Sequence, residues 1–206
     1  MEDTCTIPMR RGDRGFSLLE MMVVAGMIFI LSALTVPTLM TQVYAIRIQY
    51  SARDVSGLLQ RVRMEAVRKN SFYSLNYVAG NPNLVQVMDR NQAVVTSIPP
   101  AVLGNSVTAS YGLGGPAPAQ VALMGTLNFT AAAAGVNDLP SFNARGLPCV
   151  ATTGVATCAQ TLGQGFVFFL GGTSGSSGAA GWAAVAVTPS GRCEVFTWDG
   201  TNWNQQ

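Results

Sequence analysis

The chain contains no histidine, and only 11% of its 206 residues are charged. Without histidine no Ser/His/Asp set and no Cys/His dyad can form, and the commonest general base and metal ligand is missing. The carboxylates stand in no recognisable catalytic motif, so composition argues against an enzyme. Gly171-Gly172-Thr173-Ser174-Gly175-Ser176-Ser177-Gly178 lacks the Gly-Lys-Ser/Thr ending of a phosphate loop and lies between two apparent strands, so it reads as a hairpin loop. No cofactor, metal ion or small-molecule substrate is expected. Low charge combined with 22 glycines leaves little helix-forming surface and much turn-forming content, which points to a soluble part that is mostly β.

Charge is also absent from the twenty-six residues between Met21 and Ile46. At ~1.5 Å per residue this run spans ~39 Å as a helix, enough for a ~30 Å hydrocarbon core with some tilt. Pro37 sits inside it and removes a helical hydrogen bond, so a kink is expected there. Immediately before the run stands Arg14-Gly15-Phe16-Ser17-Leu18-Leu19-Glu20. An ionised Glu20 at the start of a membrane span costs about a few kcal/mol and asks for a partner. A cleaved secretory signal would keep small residues after a shorter apolar core, whereas this stretch is longer and ends in Leu34-Thr35-Val36-Pro37, so the helix is expected to be retained. Arg10, Arg11 and Arg14 precede the span while Arg47, Arg53, Arg61 and Arg63 follow it, so charge counting does not fix its orientation.

Beyond the span, Ile48, Ala52, Val55, Leu59, Val62 and Ala66 recur at 4-3-4-3-4 spacing and define one apolar face of a helix half buried by a sheet. Arg47, Asp54, Arg61 and Arg68 repeat every seven residues on another face, and Glu65 with Lys69 makes an i,i+4 pair. Gly57 is a weak point, and Asn70-Ser71 is the expected end. A helix over residues 16–70 would be ~80 Å long if continuous. Past residue 70 the period changes to two. Strands are expected at 71–78, 84–88, 93–98, 121–129, 165–170, 182–187 and 192–198, in an antiparallel sheet, with 109–119 a connection and 131–135 a small-residue turn or short helix. The helical segment carries six cations (Arg47, Arg53, Arg61, Arg63, Arg68, Lys69) against Asp54 and Glu65. From Ser71 onward, Arg90, Arg145 and Arg192 face Asp89, Asp138, Glu194 and Asp199, so that region is close to neutral.

The prelude to the span closely resembles the processing site of type IV prepilins and of type II secretion pseudopilins. The resemblance implies cleavage between Gly15 and Phe16 by a prepilin peptidase on the cytoplasmic face, followed by N-methylation of Phe16. Glu20 then becomes the fifth residue, and in the family that acid pairs with the new N-terminal amine of a neighbouring subunit. The implied fold is α+β and type IV pilin-like, a long N-terminal helix packed on a C-terminal antiparallel β-domain. The divisions are a leader over 1–15, a transmembrane half-helix over 16–46, an amphipathic half over 47–70 and a β-rich domain over 71–206. The protein is expected in the bacterial inner membrane as a single-pass subunit with a periplasmic domain. Its partners would be membrane lipid, the peptidase and other pilins or pseudopilins.

In such an oxidising compartment Cys149, Cys158 and Cys193 suggest a disulfide. Cys149 with Cys158 is the first pairing, because the intervening segment reads as a loop folding back on itself, while Cys193 with either partner stays open. A short loop of this kind would contribute roughly 2 to 3 kcal/mol in the chain-entropy picture.

Ser141-Phe142-Asn143-Ala144-Arg145-Gly146, the apolar run Gly165-Phe166-Val167-Phe168-Phe169, and Trp182 to Gly191-Arg192 resemble the GspH/FimT group of minor pseudopilins and minor pilins. Two functions follow from that resemblance. One is a minor pseudopilin of a type II secretion pseudopilus, with a part in protein export. The other is a FimT-like minor type IV pilin acting in pilus assembly or DNA uptake, with Arg192 as its DNA contact. Such members have a basic Gly-Arg-x-Arg element; here Glu194 replaces the second arginine, and the near-neutral domain counts against nucleic acid as a partner. Gly15→Ala is expected to leave the precursor uncut, with mass spectrometry of the native chain showing N-methyl-Phe16 at the start only when Gly15 is present.

Overall fold

The computed structural model describes residues 17–111, 117–132, 138–172 and 181–206. Gly15 and Phe16, and most of the Gly/Ser stretch after Gly172, lie outside those residues. The chain forms two compact units, Met1–Met40 and Thr41–Gln206. Helix α1 (Leu18–Lys69) supplies residues to both.

In the first unit, Leu18–Val36 is long and apolar enough to cross a membrane, with a mean hydropathy of 2.2. Its hydroxyls are satisfied within the helix. Ser32 Oγ donates to the Ile28 carbonyl at 2.7 Å and Thr35 Oγ1 to the Leu31 carbonyl at 3.0 Å, so neither needs a partner from outside the segment. The helix runs on through position 37.

In the second unit, the residues expected on the apolar face of α1 are all buried: Ile48 and Ala52, Val55, Leu59, Val62 and Ala66 are 0–1% exposed. The helix ends where the sequence changes period. Asn70 adopts φ 49°, its N–H donates to the Val67 carbonyl, and the Ser71 N–H donates to that of Ala66 at 3.1 Å. This is a Schellman cap with asparagine in the left-handed position. One pairing differs from expectation: Glu65 is held by both arms of Arg68, at 2.6 and 2.8 Å, three residues on. The planar guanidinium fork matches a carboxylate better than the Lys69 ammonium does.

Among the described residues the β region comprises two sheets, where one was expected. The first runs β3 (Ala101–Val102), β2 (Leu84–Met88), β1 (Tyr73–Val78), β6 (Asp138–Phe142), β7 (Pro148–Thr152) and β8 (Cys158–Ala159). The second runs β12 (Trp203–Gln205), β11 (Cys193–Trp198), β10 (Trp182–Val187), β9 (Gln164–Gly172) and β4 (Val107–Tyr111). Pairing is antiparallel throughout, apart from β5 (Thr130–Ala131), which lies parallel to β9. The α1 stripe, Leu75, Val85 and Val87 of the first sheet, and Phe166, Phe168 and Leu170 of the second share one core.

Two expected strands are absent. Residues 93–98 form only a single bridge, Met88 to Val94; Pro99 and Pro100 follow at once and cannot donate to a ladder. Residues 121–129 fall mostly in helix α2 (Ala117–Leu127). Short apolar runs do not distinguish strand from helix by period, and this one is rich in Ala, Leu and Met, which favour helix. The helix has a task that the sequence alone did not show. Alternate residues of β9 and β10 point away from α1, and Val167, Phe169, Ala184 and Ala186 pack with Leu123, Met124 and Leu127 in a second core. With both faces covered, β9 is buried along most of its length. Thus the domain is an α+β, type IV pilin-like fold with two antiparallel sheets.

Leu59 and Gly57 make a paired test on α1. An added Cβ at Gly57 meets nothing within 4 Å, so Gly57→Ala should stabilise the full chain by about 0.5–1 kcal/mol through helix propensity. Leu59→Ala should cost about 2–5 kcal/mol. Chemical denaturation of the full chain in detergent would read both.

Candidate functional site

Two features stand apart from simple packing. One is Glu20, an exposed acid in the first turn of α1. That turn closes with the Met21 N–H donating to the Ser17 carbonyl at 3.1 Å, and the unpaired amides and dipole of a helix start favour a carboxylate there. Nothing else in the apolar segment carries charge up to Ile46, which makes Glu20 the ionic handle of that segment.

The second feature is a junction of two hairpins over α1. The β6–β7 loop is Asn143-Ala144-Arg145-Gly146-Leu147, and the β10–β11 loop is Thr188-Pro189-Ser190-Gly191-Arg192. They are built alike. In the first, Gly146 N–H donates to the Asn143 carbonyl at 2.8 Å, Asn143 N–H to that of Leu147 at 3.0 Å, and Leu147 N–H to Asn143 Oδ1 at 3.1 Å. In the second, Gly191 donates to Thr188 at 2.7 Å, Thr188 to Arg192 at 2.9 Å, and Arg192 N–H to Thr188 Oγ1 at 3.1 Å. Each is a turn opened by a side-chain acceptor and closed by a glycine in the left-handed region, φ 72° and 80°.

The two turns touch through their glycines. A Cβ at Gly191 would lie 2.5 Å from the Gly146 carbonyl oxygen and 3.1 Å from the Arg63 guanidinium carbon, and one at Gly146 would lie 3.2 Å from Arg63 Cγ. Arg63 therefore runs between the two hairpins, and its Nη2 donates to the Ser190 carbonyl at 3.3 Å. The two sequence elements read as the GspH/FimT signature, Phe142 to Gly146 and Gly191-Arg192, are thus brought into contact. Arg63 was not singled out by its pattern, because it sits off both the apolar stripe and the seven-residue charge repeat. The signal that could have found it is the pair of glycines, each requiring close approach.

Beside this junction lies a groove of about 580 Å³ lined by Gln60, Arg63, Met64, Val67, Arg68, Gly191, Arg192 and Cys193. Arg192 is 74% exposed and stands 3.8 Å from Glu194, beyond hydrogen-bond range. Cys193 is a half-buried thiol, while Cys149 and Cys158 are joined across β7 and β8 with Cα atoms 5.6 Å apart. Burial pushes the Cys193 thiol up to about 11, against a smaller opposing pull from Arg63. Trp198 and Trp203 pack on each other at 5.3 Å, and Trp203 on Phe169 at 6.2 Å. That arrangement closes the C-terminal tail against the second core. Among the described residues, no group of three or more Cys, Asp or Glu is placed to hold a metal ion.

Residues 10–36 match the family model of the prokaryotic N-terminal methylation motif. No curated protein and no solved structure matches the chain. The matched stretch covers the residues around Gly15, Phe16 and Glu20 and the apolar segment to Val36, and together with a helix long and apolar enough to cross a membrane it supports a protein of the type IV pilin and pseudopilin class. The motif is that of a structural subunit and not of an enzyme family.

The raised Cys193 value carries a pH prediction. The folded state holds the thiol neutral above its ordinary 9.0, so between pH 9 and 11 the unfolded chain loses that proton while the folded chain keeps it. Stability must fall as pH rises through that window. Denaturation midpoints measured at pH 8 and pH 10.5 should differ less in Cys193→Ala than in the parent chain.

Proposed function

We propose that this chain is a minor pseudopilin of the GspH/FimT kind, a structural subunit of a type II secretion pseudopilus that takes part in protein export. The observation that carries the reading is the N-terminal methylation motif over residues 10–36, which takes in Glu20 and the first part of the charge-free run from Met21 to Ile46. In this reading a prepilin peptidase cuts between Gly15 and Phe16, Phe16 is methylated, and the new amine meets Glu20 of a neighbouring subunit. A carboxylate at the edge of hydrocarbon is relieved of its desolvation cost by an opposite charge, which makes the pairing a condition of assembly. The apolar helix holds the subunit in the inner membrane, and residues 71–206 form the periplasmic domain. Any bend at Pro37 would serve to fit the helix among its neighbours.

A FimT-like role in pilus assembly or DNA uptake is the second reading. What favours it is Arg192, 74% exposed on its turn. It ranks second because Glu194 stands 3.8 Å from Arg192 and the region from Ser71 onward sets three cations (Arg90, Arg145, Arg192) against four acids (Asp89, Asp138, Glu194, Asp199), a poor surface for displacing counterions from a phosphate backbone.

Glu20→Val tests the principal reading. The variant should reach the membrane fraction as the parent does, while its incorporation into filaments falls about tenfold or more, the effect of losing roughly 1.4 kcal/mol. Sheared-filament immunoblots against whole-membrane immunoblots measure the ratio, and parental incorporation would sink the pairing.

A further inference from the structure

We propose that the groove beside the hairpin junction is a docking site for a partner polypeptide segment that presents a carboxylate flanked by apolar side chains. The floor of the groove is apolar and open. Met64 is 64% exposed and Val67 52%, although both lie on the same helix as the buried stripe and neither packs in its core. Exposed apolar side chains lining a concavity, with polar groups at the edge, are the usual make-up of a contact surface.

The charges decide what fits. Three guanidiniums border the groove, and they are not equivalent. Arg68 is held bidentately by Glu65. Arg192 faces Glu194 at 3.8 Å without a hydrogen bond. Arg63 is tied only to a neutral carbonyl, that of Ser190 at 3.3 Å, and among the described residues no carboxylate lies within ion-pair distance of it. Its charge is uncompensated, and its position is fixed by the glycines on either side. A half-buried guanidinium with that geometry is a receptor for one carboxylate, since a charge-assisted hydrogen bond is strongest where water is partly excluded.

The same charges argue against a nucleic acid strand. A polyphosphate would bring several negative charges past Glu65 and Glu194, which stand against the arginines Arg68 and Arg192 of the groove, while a single acid on an apolar segment meets Arg63 and Met64 together. This assignment goes beyond the filament reading and does not rest on it, because the groove lies wholly within the second unit and involves neither Gly15 nor Glu20. A chain left uncut at Gly15 would still carry the groove.

The test uses the full chain in detergent micelles and fluorescence anisotropy with defined probes. One is a fluorescein-labelled 14-residue peptide with leucines at i, i+3, i+4 and i+7 and a single central glutamate; the other is its glutamine counterpart. The glutamate peptide should bind about tenfold more tightly, as expected for one charge-assisted contact. Met64→Glu, which changes an exposed side chain and leaves the Arg63 clamp intact, should abolish that binding, and Arg63→Gln should erase the difference between the two peptides. Equal affinity for both peptides, no binding of either, or unchanged binding to Met64→Glu overturns the proposal. A 20-nucleotide single strand that displaces the glutamate peptide in a salt-sensitive manner also overturns it, in favour of nucleic acid.

Discussion

The second unit depends on one line of contacts, the apolar stripe of α1 from Ile48 to Ala66, which is 0–1% exposed along its length. That stripe meets residues of both sheets in a single core. Neither sheet could be stable on its own: each has short edge strands, two or three residues long at β3, β8 and β12, and a sheet needs an apolar face covered by something. The helix supplies that cover for both.

The second sheet adds a further demand. Its central strands are apolar on both faces, so covering one face with α1 would leave Val167, Phe169, Ala184 and Ala186 in water. Helix α2 and the short β5 remove them from solvent. Phe169 in turn takes Trp203 from β12 at 6.2 Å, and the C-terminal tail closes against the same core. The layers are therefore helix, sheets and a smaller helix, and both faces of β9 report it in the alternation of their contacts.

The hairpin junction shows how a surface is made specific without many charges. Two loops of the same construction present glycines to each other, and the space a Cβ on either glycine would need is taken by the facing backbone, by Val67 and by Arg63. Glycine at both positions is needed for the left-handed backbone and for the approach itself. The result is a guanidinium whose place is set by backbone on two sides, next to open apolar surface at Met64 and Val67.

Much of this was legible in residue order. The 4-3-4-3-4 stripe, the asparagine that ends α1, strands β2 and β10, and the charge-free span with Glu20 at its head are all local patterns, written within one or two turns of chain. They were readable because the chemistry that creates them acts between near neighbours. Tertiary structure alone decided the rest. It put residues 117–127 into a helix because a sheet face needed cover, and divided the strands between two sheets. It also brought Gly146, Gly191 and Arg63 together across long separations in sequence. No local period encodes that meeting, since its cause is the exclusion of volume between distant backbones, and that exists only once the fold has closed.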